Sequence, residues 1–194
     1  MAKVIQVRTG IRVGCVGAGG TGKTTTAQTV EKALKVPFNK SASRIVYEEL
    51  GLTEAKCAKL PDNEKYGLQF KIFDKKIELD KAFTYISDRT LLDHWAYCLM
   101  YCEAFIPDEQ YFEFEDKVRT HMRTIYSHIF YFPFGYWFEK GDGVRQDHQS
   151  WQSAIDAIIV GYIHRWHLNV FEVPQIHGKE FRAQYVINTV KGAK

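Results

Sequence analysis

The chain alternates between short, almost wholly apolar runs and longer stretches whose apolar residues recur every three or four positions. Residues 11–17, IRVGCVG, are the first short run, and they predict a buried strand. Residues 23–35 follow with Ala27, Val30, Ala33 and Leu34 on a helical period. RIVYEEL at 44–50 reads as a second helix, stopped by Gly51. Residues 65–81 place Leu68, Ile72 and Leu79 on one face of a third. AFTYIS at 82–87 is another buried strand and ends at Asp88; the mostly apolar stretch 91–105 is then a helix halted before Pro107. Residues 108–126 open with acidic side chains, as a helix N-terminus favours. HIFYFPF (128–134) predicts a strand, 135–149 a charged loop with glycines, and 150–166 a helix with Ser150 as N-cap. NVFEVP (169–174) is a last strand, and a final helix spans about 178–191. A strand near 36–40 and an edge pairing at 3–7 are weaker expectations.

Strands alternating with helices predict an α/β fold with a parallel sheet covered on both faces. On such sheets ligands bind at the carboxyl ends of the strands. Gly17, Asp88 and the 135–149 loop all follow strand ends, so three chemically loaded segments should converge on one edge. At 194 residues, 45% hydrophobic and 25% charged, the chain suits a single domain, 1–194, with 135–149 as a lid loop. The net charge of +3 favours an anionic ligand only mildly. No apolar run approaches membrane-spanning length and no signal-peptide core is visible, so the expected location is cytoplasmic. Cys15, Cys57, Cys98 and Cys102 lack metal-ligand spacing and are expected as reduced, packed thiols.

Residues 17–24 read Gly17-Ala18-Gly19-Gly20-Thr21-Gly22-Lys23-Thr24. This satisfies G-x-x-x-x-G-K-[ST] between a strand and a helix. Glycines let successive amides turn inward around an anion, and the helix N-terminus adds its dipole. Lys23 would reach the β- and γ-phosphates of ATP and Thr24 would ligate Mg²⁺, with Thr25 near the α-phosphate. Gly17, Gly19, Gly20, Thr21 and Gly22 are the expected cradle. The fold expectation is thus a P-loop NTPase three-layer sandwich with a five-stranded parallel sheet.

The strand at 82–87 ends in Asp88-Arg89. Motor-type ATPases carry Asp-Glu there, the glutamate activating water; here a cation stands in its place. The one Asn-Lys pair, Asn39-Lys40, lacks the aspartate that would grip guanine. Asp88 is the candidate for base or magnesium organiser, and Arg89 for charge stabilisation. Arg145, in a loop bearing Gly141 and Gly143, is positioned in sequence to neutralise charge on a migrating phosphoryl group. Asp93 reads as a dipole-stabilising acid.

The segments GAGGTGKTTTA, SASRIVYEELG, SDRTLLDHWAY and GDGVRQDHQSWQSAID stand in an order and spacing that resemble the P-loop nucleoside and nucleotide kinases. The nearest branch is the AAA-type group with nicotinamide-riboside-kinase-like proteins and many bacteriophage members. The resemblance implies that Asp88 and Arg89 line the acceptor site, that Arg145 acts as an arginine finger, and that Arg44 points toward the acceptor. Many members carry a glutamate where this chain has Ser41-Ala42-Ser43-Arg44.

Tyr136 and Trp137 follow Gly135 where the chain should leave the core, and they offer a stacking surface for a base. Three readings stand. One is transfer of the ATP γ-phosphate to a nucleoside or nucleotide. Another is a kinase acting on nucleic acid or a hydroxymethylated base, which needs a basic groove; Lys71, Lys75, Lys76 and Lys81 either supply one or form a solvated helix face. The third is a nucleotide switch or slow ATPase. Monomer and homodimer are both open.

Overall fold

The computed structural model describes residues 10–57, 59–102, 106–135, 148–175 and 178–192. Its described strands are β1 (Arg12–Val16), β2 (Phe38–Asn39), β3 (Tyr85–Asp88), β4 (His128–Tyr131) and β5 (Phe171–Glu172). The described helices are α1 (Lys23–Leu34), α2 (Ala42–Glu49), α3 (Glu54–Cys57), α4 (Asp62–Leu79), α5 (Leu91–Cys102), α6 (Asp108–Thr124), α7 (Gln149–Arg165) and α8 (Lys179–Lys191).

The strands form one five-stranded sheet in the order β2-β3-β1-β4-β5. All four pairings are parallel, with Cys15 opposite Asp88 on one side and Phe130 on the other. β1 is central, so its carboxyl end opens where the strand order reverses. The expected three-layer α/β sandwich is therefore the observed fold.

Alternation along the strands sets the two faces. Val13, Cys15, Ile86 and Phe130 pack with Ala27 and Val30 of α1 and Ala183, Val186 and Ile187 of α8. Val16, Tyr85, Ile129 and Tyr131 pack with residues of α5, α6 and α7, around Trp95, Met122, Ile155 and Ile159. A third cluster joins α2 to α4 through Ala42, Val46, Leu68 and Ile72. By the same alternation Asp88 shares its parity with Ile86 and turns toward α1.

Several boundaries differ from expectation. α7 begins at Gln149 after His148, which makes no side-chain cap bond, so Ser150 lies inside the helix. β5 is two residues long, Phe171 and Glu172, which pair with Phe130 and Tyr131 of β4. Residues 3–7 lie outside the described residues, as do 103–105 at the end of the predicted fifth helix. The four cysteines are buried and outside any disulfide, as expected. Among the described residues no helix is long and apolar enough to cross a membrane.

Candidate functional site

The turn from β1 into α1 carries the glycine-rich loop. Gly17 has φ 146°, and a Cβ there would meet the Phe132 carbonyl oxygen at 2.5 Å. Gly22, the N-cap of α1, has φ 81°. Both positions require glycine on conformational grounds. Lys23 is buried and its ammonium lies over the loop, donating to the Ala18 carbonyl (2.5 Å) and the Thr21 hydroxyl (3.1 Å). Thr25 sits in the first turn of the helix, half-buried.

The Thr24 hydroxyl donates to Asp88 Oδ2 at 2.7 Å. This bond joins the helix start to the end of β3 across 64 positions of sequence. A hydroxyl and a carboxylate so paired at a phosphate loop fit a hard divalent cation that keeps most of its ligands from water and phosphate. Among the described residues no group of three or more His, Cys, Asp or Glu could hold a metal alone.

Asp93 is fully buried and is more than a dipole-stabilising acid. Its Oδ1 accepts the Gly17 amide at 3.0 Å; its Oδ2 accepts the Thr90 amide (2.7 Å) and hydroxyl (2.8 Å). It ties the first amide of the loop to the start of α5. Burial pushes its carboxyl above the usual range, while the Lys23 and Arg89 charges pull it back.

Arg89 occupies the left-handed region, φ 84°, which a non-glycine residue adopts at a cost. It is clamped on both sides. Ser87 Oγ donates to the Arg89 carbonyl at 2.9 Å, and Asp93 holds Thr90 immediately after it. Ser87 in turn accepts from Lys76 Nζ at 2.6 Å. Lys76 is buried and bonded to Asp80 at 2.6 Å, and Asp80 also accepts from Tyr126. This corrects the expectation for Lys76 as a member of a basic groove. Lys76 faces the interior, and Lys75 is paired with Glu49 and Glu78.

The Arg89 guanidinium lies 4.6 Å from the centre of the Tyr97 ring and donates to its hydroxyl at 3.4 Å. Arg89 lines a cavity of about 50 Å³ together with Arg44, Ser41, Ser43, Tyr47, Gln69, His94, Tyr97 and Tyr101. The expected pair of Arg44 and Arg89 is thus brought together, next to Asp88 and the loop. His94 is buried, with no hydrogen-bond partner at Nε2. Desolvation, then the Arg89 and Lys76 charges, depress its basicity well below the usual value, so its imidazole is neutral.

Three residues at the site escaped the sequence reading. Gln152 Oε1 accepts from the Gly19 amide (2.6 Å) and from the Tyr97 hydroxyl (3.1 Å). Asp156, one turn along α7, accepts the Tyr131 hydroxyl at 2.9 Å. Arg182 on α8 donates to the Thr21 carbonyl at 3.0 Å. Each reaches the loop or its surroundings from a distant element, and no local motif announces them. Gln152 and Asp156 share an i, i+4 spacing, the one signal that could have marked a loop-facing stripe. Tyr136, Trp137 and Arg145 lie outside the described residues, with most of the expected lid.

The sequence profile of a family described as an AAA domain matches residues 12–180. No curated protein matches the chain significantly. Among solved structures, the deoxyadenosine kinase from M. mycoides with bound dCTP superposes with TM-score 0.69 at 13% identity, covering 94% of this chain and 100% of that one. Shikimate kinase from Acinetobacter baumannii in complex with shikimate gives 0.65 at 12% identity, covering 96% of each. The NadR protein in complex with NR gives 0.66 at 14% identity, with 95% of this chain covered. The chain spans about half the length of the NadR protein, 51% of which is covered. At these identities the likeness is one of fold, an α/β P-loop NTPase fold.

Proposed function

Starting from a chain that belongs to the AAA domain family, we propose that it is an ATP-dependent phosphotransferase that moves the γ-phosphate to a nucleoside or nucleotide. The observation that carries this reading is the strand end 87–90. Asp88 is bonded to Thr24 of the donor loop, and the next residue, Arg89, lines a cavity shared with Arg44. Donor loop and acceptor cavity therefore meet at adjacent residues, the last of β3 and the one after it. The kinases of matching fold, among them one with bound dCTP, support the same reading.

In this proposal residues 17–25 grip the triphosphate. The Lys23 ammonium leaves its bonds to Ala18 and Thr21 for the β- and γ-phosphates. Thr24 and Asp88 are the residues that would hold Mg²⁺, which when bound neutralises the phosphate charge and aligns the reacting oxygens. Arg89 stabilises charge as it shifts between acceptor and donor. Arg145, Tyr136 and Trp137 keep the roles of finger and stacking surface on sequence grounds. Binding energy is directed to alignment, because phosphoryl transfer asks for little covalent help from the protein.

The nucleic-acid reading loses its main support with Lys76 in the interior and Lys75 in ion pairs. The switch reading is disfavoured by Arg44 and Arg89 lining a cavity beside the loop, for which a switch has no use. The test is Asp88→Asn. ATP binding should persist, while transfer falls by roughly 100-fold or more, the scale of losing one preorganised transition-state group. Transfer at the parent rate would remove Asp88 from the mechanism.

A further inference from the structure

We infer that the acceptor is a phosphate monoester, a free nucleoside 5′-monophosphate, and that the reaction joins phosphate to phosphate. The inference takes the phosphotransferase reading as given and narrows its substrate. Two transfers are possible in principle. A hydroxyl acceptor must lose a proton, which calls for a base within reach. A phosphate monoester, with a second pKa of about 6, is already a dianion near neutral pH and calls for cations instead.

Among the described residues, the lining of the cavity beside Asp88 offers guanidinium groups, those of Arg44 and Arg89, and no carboxylate base. Guanidinium forks match phosphate oxygens bidentately, which suits recognition of a terminal phosphate. The described carboxylates around the loop each bond another group. Asp88 accepts from Thr24 on the donor side, Asp93 holds Gly17 and Thr90, and Asp156 holds Tyr131. Among the described lining residues the remaining candidate base is His94. It lines the cavity with an unpartnered Nε2, but burial and the neighbouring Arg89 and Lys76 charges weaken it as a base. A neutral imidazole can still hydrogen-bond a bound phosphate. Tyr47 and Tyr101, on the same cavity, offer aromatic surface to the base of a nucleotide.

The step balances without a proton acceptor. An oxygen of the acceptor dianion forms a bond to the γ-phosphorus. The bond from that phosphorus to the β,γ-bridging oxygen breaks, and its electron pair leaves with the ADP β-phosphate. The products are ADP and a nucleoside diphosphate. Holding the acceptor as a dianion among guanidinium groups also keeps two mutually repelling phosphates in line.

The experiment offers the whole chain γ-labelled ATP and Mg²⁺ with each common ribo- and deoxyribonucleoside, the matching 5′-monophosphate, and a 5′-phosphorylated or hydroxymethylated oligonucleotide. The expected result is label in a nucleoside diphosphate, with the monophosphate preferred over its nucleoside by roughly tenfold or more in kcat/KM, the scale of one charge-assisted bond. Label on a nucleoside hydroxyl, with monophosphates inert, overturns the acceptor class and leaves the kinase reading standing. Label on an oligonucleotide overturns the free-nucleotide acceptor in the same way. Label in inorganic phosphate alone overturns both. Arg44→Gln adds an independent check. It should raise KM for the monophosphate with little change in kcat and in ATP affinity, and an unchanged KM counts against the phosphate subsite.

Discussion

Asp93→Ala offers a sharp test of how the phosphate loop is held. The carboxylate is fully buried and takes three donors: the Gly17 amide, the Thr90 amide and the Thr90 hydroxyl. Removing it leaves two buried amides without partners, each costing about 1–3 kcal/mol, while the hydroxyl can rotate toward another acceptor. The buried cavity adds to this, but relief of a buried charge offsets part of it. The net expectation is a loss of about 3 kcal/mol, placed at the lower middle of that range. For a chain of this size that lowers Tm by about 6–12 °C. Thr90→Val, which keeps the amide bond and removes only the hydroxyl, should cost about 1 kcal/mol. Thermal and urea unfolding of both variants measures the effect, and ATP titration of the folded Asp93→Ala protein reports on the loosened loop. ATP affinity should fall, because Gly17 is the loop's first amide. A Tm within about 2 °C of the parent would mean that these bonds contribute almost nothing net. It would refute Asp93 as the tether.

Three other outcomes follow from the same coordinates. Burial pushes the Asp80 carboxyl up, but its bonds to His121, Lys76 and Tyr126 outweigh that and hold it at about 2. Its folded value lies below the unfolded one, so its contribution is fully present above about pH 4 and is lost as pH falls toward 2. The stability gap between parent and Asp80→Asn, measured by urea unfolding, should therefore be wide at about pH 6 and close toward about pH 2; a constant gap contradicts the assignment. Gln152→Leu removes the acceptor of the Gly19 amide and the Tyr97 hydroxyl, and should cost about 1–3 kcal/mol in urea unfolding; an unchanged midpoint contradicts it. Gly22→Ala must adopt φ 81° against Arg182 Nη1 at 2.8 Å, so it should lower Tm and weaken ATP binding together; a neutral result contradicts the steric argument.

What the sequence made legible has a physical pattern. The phosphate loop could be read because its chemistry demands particular residue types at fixed local spacing. The strand ending at Asp88 could be read because a segment that crosses the core must be apolar, and a charge is tolerated only where it emerges at the sheet edge. The two-faced sheet followed from the alternation of such runs with helical periods. Lys76 was misread because α4 carries lysines on more than one face, and which of them turns inward depends on β3 and α6. Its i, i+4 relation to Asp80 was visible, but its burial was not. Gln152, Asp156 and Arg182 were invisible for a related reason. Gln152 bonds a loop residue 133 positions away, and Arg182 one 161 positions away, so only the folded topology brings them together.

The central claim is that residues 17–24 hold a triphosphate whose terminal group faces Asp88 and Arg89. A single-turnover reaction with γ-labelled ATP, Mg²⁺ and pooled nucleoside monophosphates tests it most directly, run on the parent chain and on Lys23→Ala. The account predicts label in a nucleoside diphosphate from the parent, and a rate lower by roughly 100-fold or more from the variant. Label released only as inorganic phosphate, or equal transfer by both proteins, would contradict it.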